Sequence, residues 1–209
     1  ISPHFPANFE TFAVRLREQG FNTLGIADTP YEQLSEGLRN SLTEYYRVDN
    51  MEDYEQVYRA VGYFAHKYGR IDRIESHNEY WLELDAKLRT DFNVFGYKTE
   101  DMKSIKTKSA MKEIFRKAGL KVAQGRVFKD DEDARKLVKQ LKYPVIIKPN
   151  SGVGASDTYK VKNVQDLENF FASKNPQVEY IMEEFIEGDI ITFDCLLYTS
   201  DAADDSLRV

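Results

Sequence analysis

The sequence contains very little cysteine or histidine, and this scarcity excludes two ways of holding a fold together. Its 209 residues include one cysteine, Cys195, and three histidines. A single cysteine cannot form an internal disulfide, and so few scattered thiols and imidazoles do not match a structural zinc site. The fold must therefore rest on a hydrophobic core. A reducing, cytoplasmic compartment is the default prediction, and no metal-ligating residue is predicted in this chain.

Long apolar runs and excess positive charge are also lacking. No apolar run approaches the roughly 20 residues that span a bilayer. The first six residues lack the basic and apolar regions of a secretory signal. The formal net charge is −6, with a pI near 5.3, and lysines alternate with acids along the chain. Neither a membrane nor a nucleic acid is therefore a predicted partner.

The chain does contain enough apolar residues for a core, since 42% of it is hydrophobic and 13% is aromatic. Short apolar strands alternate with amphipathic helices, a pattern that predicts an α/β fold with a largely parallel sheet. In the first hundred residues the spacing predicts helices capped by Asn8 and Asn50 and a third helix from Trp81 to Phe92. Strands are predicted at 23–26, 45–48 and 71–75.

The periodic pattern stops between residues 93 and 106, which predicts a domain boundary near residue 100. The predicted domains span 1–100 and 101–195. Ile1 and Ser2 are interpreted as the end of a strand whose beginning is missing, because the proline-rich stretch 3–6 already behaves as the following loop.

Beyond the boundary, the apolar spacing predicts helices at 111–118 and 130–141 and another helix that starts at Asn163 and carries Val164 on its buried stripe. Strands are predicted at 122–127, 145–147, 158–161 and from Tyr180 onward. Four acids open the helix at 130–141, and we interpret them as dipole-stabilising residues on a solvated face rather than as metal ligands.

A glycine-rich loop follows the strand that ends in Lys148. Gly152 and Gly154 let the backbone approach a polyphosphate closely because they carry no Cβ. Ser151 and Ser156 add hydroxyl donors, and Lys148 adds an ammonium group. The segment has neither the Gly-Lys-Ser/Thr ending of a P-loop nor the third glycine of a dinucleotide fingerprint. Taken alone, Gly-Val-Gly is more typical of an ordinary hairpin turn than of a phosphate-binding loop.

The wider order of motifs resembles the ATP-grasp superfamily, which includes biotin carboxylase and carbamoyl phosphate synthetase. An early lysine precedes an amphipathic helix, a strand ends in Lys-Pro, a Ser-Gly-x-Gly-x-Ser loop follows, and Glu-Glu-Phe-Ile-Glu-Gly comes after it. The resemblance covers residues 106–194 and is closest to carboxylate–amine ligases. It implies a Rossmann-like pre-ATP-grasp domain followed by the first part of an α+β ATP-grasp domain. It also implies ATP, Mg²⁺, and small carboxylate and amine substrates.

The resemblance assigns roles by position. Lys108 matches the lysine near the α-phosphate, and Lys148 the lysine at the α- and β-phosphates. Glu183 matches the acceptor of the adenine amino proton, while Glu184-Phe185-Ile186 matches the hinge, whose Glu184 and Ile186 backbones contact the ring. Without the resemblance, Lys108 fits a solvated helix lysine and the glutamate pair an exposed strand end.

Three features depart from the family pattern. Ile190 occupies the position of the usual ribose-binding acid, for which Glu187 or Asp189 are possible substitutes. The magnesium ligands usually lie on later strands than this chain contains, so the chain itself is predicted to be inactive. Residues 196–209 resemble a translated sequencing-adapter read-through, and we interpret Cys195 and the acids at 201–205 as carrying no function.

Three functions remain open from the sequence: an ATP-dependent ligase with no catalytic residue identified, a non-catalytic nucleotide-binding module, and a nucleotide-free α/β domain. The stretch 77–79 follows a predicted strand, where a ligand can dock. The capping preference of Asn78 favours a structural role at a helix entry instead.

Overall fold

The computed structural model describes residues 1–152, 157–189 and 191. The predictions for Gly154, Ser156, Ile190 and the tail at 196–209 lie outside these residues. The described part is a mixed α/β structure, as the sequence predicts. Within it, no helix is both long and apolar enough to span a membrane.

The first hundred residues pack four α-helices around two parallel strands. Strand β1 (Leu24–Ala27) pairs with β2 (Glu44–Arg47), and Ile26 lies beside Tyr46. The helices are α1 (Glu10–Glu18), α2 (Glu36–Ser41), α3 (Tyr54–Tyr68) and α4 (Leu82–Asp91). The main core contains Ile26, Val48, Met51, Val57, Ala60, Val61, Phe64, Ile74, Leu88 and Val94.

The predicted strand at 71–75 is wrong, because this segment has no strand ladder. Its carbonyls bond to other groups instead. Ile74 O accepts two bonds from the Arg89 guanidinium, at 2.9 and 2.6 Å, and Glu75 O accepts one from the Ile1 ammonium at 2.9 Å. Ser2 N–H donates to Ile26 O at 2.7 Å, so residues 1–2 lie between β1 and this segment. Two residues are too few to pair with it as a strand.

Both predicted caps in this part are wrong. A 3₁₀ turn at Ala7–Phe9 precedes α1, and no side chain caps that helix. Helix α3 is capped by Asp53, whose carboxylate accepts the Glu55 N–H at 3.0 Å. Asn50 closes a turn before the cap, accepting the Glu52 N–H at 2.9 Å. Aspartate and asparagine serve equally well as caps, so sequence preference alone could not choose between the two positions.

The second half forms a four-stranded sheet in the order β3-β6-β4-β5. The strands are β3 (Gly125–Val127), β4 (Val145–Pro149), β5 (Tyr159–Val161) and β6 (Tyr180–Glu184), and every pair is antiparallel. The predicted largely parallel sheet is therefore wrong here. Helices α7 (Asp131–Leu141) and α8 (Val164–Ser173) cover one face, whose core surrounds Phe170.

Helix α8 begins directly after Asn163, as predicted, whereas Asp130, predicted in the first turn of α7, lies before that helix and caps it. Asp130 and Asn163 cap α7 and α8 by accepting the N–H groups of Asp133 and Asp166 at 2.8 and 3.0 Å. The first-turn acids of α7 form ion pairs with Arg126, Lys136 and Lys174. These contacts agree with their interpretation as structural residues.

Several details of this half differ from the predictions. The strand expected at 122–127 begins only at Gly125, whose φ is +152°. A Cβ there would lie 2.1 Å from Met182 O, so the close approach of β6 requires glycine. Val164 is exposed, and Phe170 takes its place in the core of α8. The correction is small because the helix itself is where the spacing predicted it.

Two short helices connect the halves. Helix α5 (Met102–Lys106) leads directly into α6 (Lys108–Lys117). An ion pair joins Lys106 Nζ to Glu83 Oε1 of α4 at 3.3 Å. The apolar stripe of α6 is exposed, including Ile114 and Phe115, although amphipathic spacing normally indicates a buried face.

Candidate functional site

The root of the β4–β5 hairpin, residues 150–152, is joined to the beginning of α6 by main-chain and side-chain contacts. Thr107 and Ser151 form an isolated antiparallel bridge. Lys108 N–H donates to Asn150 O at 2.8 Å, and Lys108 Nζ donates to Gly152 O at 3.3 Å. The predicted early lysine and the predicted loop, more than forty residues apart in the sequence, are therefore adjacent in the fold.

Asn150 is the buried connector at this root, and sequence reasoning missed it. Its side chain is 2% exposed and accepts the Ser109 N–H at 3.0 Å. Its amide also donates to the carboxylate of Glu179, and its main-chain N–H donates to Glu179 O at 2.8 Å. One side chain thus joins α6, the end of β4 and the residue before β6. Asparagine directly after a Lys-Pro strand end is the only signal the sequence offered.

Lys148 and Glu183 form an ion pair on the sheet face opposite the α7–α8 core. Side chains alternate along a strand, so Ile147 points into the core while Lys148 points away from it. Lys148 Nζ lies 2.9 Å from Glu183 Oε2. The Glu183 side chain is only 5% exposed, whereas that of Lys148 is 26% exposed. The glutamate is therefore not the exposed strand-end residue that composition alone would suggest.

A third lysine, Lys112, completes the cluster, and sequence reasoning missed it as well. Its Nζ lies 2.7 Å from Glu183 Oε1 in an ionic contact without directed hydrogen-bond geometry, and it donates to Ala123 O at 3.4 Å. Lys112 follows Lys108 by four residues, so both lie on one face of α6. That spacing was visible in the sequence, but the carboxylate between Lys112 and Lys148 was not.

The nearby positive charge and the burial of the site change the pKa of Lys108. Partial burial, and then the nearby charge of Lys148, lower the pKa of Lys108 below the usual lysine value. Glu79 and Glu183 act in the opposite direction. An anion bound between Lys108 and Lys148 would relieve their repulsion, so the cluster favours a negatively charged ligand.

The remaining predicted residues are Glu184, the last residue of β6, and the two residues that follow it. Glu184 N–H donates to Gln124 O at 2.8 Å, and its carboxylate accepts the Gln124 N–H at 2.7 Å. Phe185 N–H donates to Pro144 O at 3.2 Å, and Lys160 Nζ lies 3.4 Å from the centroid of its ring. Ile186 is 63% exposed. The two residues after Glu183 are thus hydrogen-bonded to the residues directly before β3 and β4, while the Ile186 side chain is exposed and accessible to a ligand.

The loop itself is described only in part. Ser151 is exposed and Gly152 has a φ of +118°, with open space where a Cβ would stand. This backbone conformation favours glycine, as the sequence interpretation required. The pairing of β4 with β5 confirms that the loop joins two antiparallel strands.

The stretch 77–79 lies at the entrance of α4. Asn78 Oδ1 accepts the Trp81 N–H at 3.1 Å, and the His77 ring stacks on Phe12 with centroids 4.3 Å apart. Asn78 therefore has a structural role in the turn before α4, but it does not cap that helix, whose N-cap residue is Trp81.

The motif order, the antiparallel hairpin and the lysine–glutamate cluster together define a nucleotide-binding domain of the ATP-grasp class. Residues 107–188 match the family described as the carbamoyl-phosphate synthase L chain, ATP binding domain. This match confirms the resemblance to the ATP-grasp family that was drawn from the sequence.

Relatives extend the match over most of the chain. The large chain of carbamoyl phosphate synthase from Haemophilus ducreyi is 24% identical over 191 residues, which are 88% of this chain and 17% of that protein. A D-alanine–D-alanine ligase from Francisella philomiragia is 34% identical over 53 residues, covering 25% of this chain and 18% of the ligase.

A solved structure shows the same fold. The biotin carboxylase domain of the 2-oxoglutarate carboxylase from Hydrogenobacter thermophilus, in complex with MgADP and bicarbonate, superimposes with a TM-score of 0.68 at 20% identity. The match covers 85% of this chain and 42% of that one. The chain thus spans less than half of each of these three proteins.

Proposed function

We propose that this chain is the nucleotide-binding part of an ATP-dependent carboxylate–amine ligase. The observation that supports the proposal best is the Lys148–Glu183 ion pair beside Lys108, at the root of a glycine-containing hairpin. It lies within the segment that matches an ATP-binding family. Lysines there can neutralise phosphate charge, and a carboxylate can accept a hydrogen bond from an exocyclic amino group.

The proposed reaction has two steps. A carboxylate oxygen of the substrate attacks the γ-phosphorus of ATP, so that an acylphosphate forms and ADP leaves. The nitrogen of an amine or similar nucleophile then attacks the acyl carbon, and inorganic phosphate leaves. The contribution of this chain is to orient ATP and neutralise its charge through Lys108 and Lys148. No residue of the chain is assigned as a general base.

Base recognition is proposed for Glu183 and the segment after it. Glu183 accepts a hydrogen bond from the 6-amino group of adenine. The backbones of Glu184 and Ile186 supply the hinge contacts around Phe185. Glu184 N–H is already bonded to Gln124 O, which leaves other backbone groups of the segment for the base. Ser151, Gly152, Gly154 and Ser156 are assigned to phosphate binding.

Magnesium does not fit the residues that the structure describes. Among them no group of three or more His, Cys, Asp or Glu side chains could hold a metal ion. We therefore assign no ligand and no step to magnesium in this chain. The relative from H. thermophilus was solved with MgADP, which supports Mg²⁺ as a companion of the nucleotide in the complete ligase.

The remaining assignments follow from the proposed ligase. Residues 1–100 form the pre-ATP-grasp domain, and residues 101–195 the first part of the ATP-grasp domain. The substrates are a small carboxylate and an amine, and the compartment is the cytoplasm.

Titration calorimetry tests the nucleotide assignment. The chain is expected to bind ATP with a single saturable isotherm and to bind inosine triphosphate at least about tenfold more weakly. Inosine triphosphate carries an oxo group where ATP carries the 6-amino group, and the Glu183 carboxylate would face that oxygen without a proton between them. Equal binding of the two nucleotides would contradict the role of Glu183, and no binding of either would overturn the proposed function.

The pH dependence of ATP affinity tests Lys108. Because its pKa is lowered, Lys108 loses its proton at a lower pH than an ordinary lysine does. We expect ATP affinity to fall as the pH rises through this lowered pKa, because Lys108 loses the charge that faces the phosphates. The Lys108→Arg variant keeps its charge throughout, so its affinity should stay flatter over the same range. Parallel alkaline profiles for the two proteins would contradict the phosphate contact.

A further inference from the structure

Glu183 is a buried carboxylate held between two ammonium groups. Lys112 contacts Oε1 at 2.7 Å, and Lys148 contacts Oε2 at 2.9 Å. The Lys112 side chain is 15% exposed and the Glu183 side chain 5% exposed, so water screens their contact little. Two lysines on one carboxylate leave one positive charge in excess. A single lysine would be enough to neutralise a buried acid.

The excess becomes useful when Lys148 has a second partner. In the proposed function Lys148 binds the α- and β-phosphates, which draws its ammonium group toward the nucleotide. A buried carboxylate that loses its only cation is strongly destabilised. With Lys112 in place, Glu183 keeps one cation while Lys148 turns to the phosphates.

Lys112 also limits how Glu183 can move. Its Nζ is anchored to Ala123 O at 3.4 Å, and Ala123 precedes β3, the strand that pairs with β6. The carboxylate is therefore held from the α6 side, on the oxygen that Lys148 does not contact. Each carboxylate oxygen has two acceptor positions, so a lysine on each oxygen still leaves positions for a donor from a base.

We propose that Lys112 is a positioning residue for nucleotide recognition: it keeps Glu183 paired and oriented, so that Lys148 can bind phosphate while Glu183 receives the 6-amino group of adenine. The inference rests on the proposed function. It adds that selectivity for the base depends on a lysine that touches neither the base nor the phosphates.

The test uses the 209-residue chain and its Lys112→Met, Lys112→Gln and Lys112→Arg variants. Calorimetry gives the affinities for ATP and for inosine triphosphate, and thermal melts followed by circular dichroism check that each variant is folded. Lys112→Met and Lys112→Gln should weaken ATP binding about tenfold to a hundredfold and inosine triphosphate binding much less, so that the ratio of the two affinities falls. Lys112→Arg should restore most of the ratio. Lys117→Met, an exposed lysine on the same helix, is the matched control and should change neither affinity.

The outcomes distinguish the role of Lys112 from the proposed function as a nucleotide-binding chain. A lysine that only stabilised the fold would weaken both nucleotides equally, so an unchanged ratio in folded Lys112→Met and Lys112→Gln overturns the inference and leaves the proposed function standing. Failure of the unmodified chain to bind either nucleotide overturns the proposed function, and the inference falls with it.

Discussion

Replacing Lys148 by alanine is expected to weaken ATP binding about a hundredfold or more. The substitution removes one charge-assisted contact with each of two phosphates, and such contacts contribute roughly 1.5 to 3 kcal/mol each. It also leaves Glu183 with Lys112 alone, which keeps the carboxylate compensated and the sheet intact. The loss should therefore appear in nucleotide affinity, measured by calorimetry, far more than in stability.

Two further variants make this result specific. Lys148→Arg keeps the charge and should retain part of the affinity. Lys162→Ala removes an exposed lysine just after β5 and should leave ATP binding unchanged. An affinity of Lys148→Ala within about threefold of the unmodified chain, at normal stability, would contradict the phosphate role.

Replacing Asn150 by alanine is expected to lower the free energy of unfolding by about 1 to 3 kcal/mol and to weaken ATP binding as well. The Ser109 N–H would lose its acceptor in a partly buried position, and Glu179 would lose its amide donor. Glu179 is exposed and water can replace that donor, so most of the cost falls on Ser109. ATP binding suffers because α6, which carries Lys108 and Lys112, is no longer fixed to the hairpin root.

Urea unfolding and calorimetry measure the two effects of Asn150→Ala. The matched control is Asn169→Ala, since Asn169 is an exposed asparagine on α8, and it should change stability by less than about 0.5 kcal/mol. A normal unfolding free energy for Asn150→Ala would show that the root connection does not stabilise the fold.

The sequence predicted those parts of the fold that depend on local chemistry. The apolar strand ending at Lys148, the following hairpin and the capped helices α7 and α8 all follow from spacing and capping preference within about fifteen residues. Lys148 and Glu183 could be proposed as site residues because their motifs resemble a family in which such residues have fixed positions. Their direct contact was not predicted, since it depends on the register of β4 with β6.

The errors arose where non-local contacts decide the outcome. The segment 71–75 has strand-like residues but only Ile1 and Ser2 beside it on one side. The apolar stripes of α1 and α6 predict buried faces, yet Phe12 and Ile114 are each 48% exposed. Periodicity reports which face of a helix is apolar, and it does not report what lies against that face.

Lys112 shows the same limit at the site. A lysine four residues after Lys108 is ordinary on an amphipathic helix, and only the fold reveals a carboxylate from β6 beside it. The sequence therefore defined the chemistry of the site, and the structure defined which residues share it.

Hydrogen–deuterium exchange with and without ATP tests the central claim most directly, because it shows both whether the nucleotide binds and where. The account predicts that saturating ATP slows amide exchange in the hairpin root at 150–152 and in residues 184–186 at the end of β6. Exchange in α3, in the first half, should be unaffected. Lys148→Ala should abolish this protection at the same ATP concentration. Unchanged exchange in both segments with saturating ATP, or protection confined to the first hundred residues, would contradict the account.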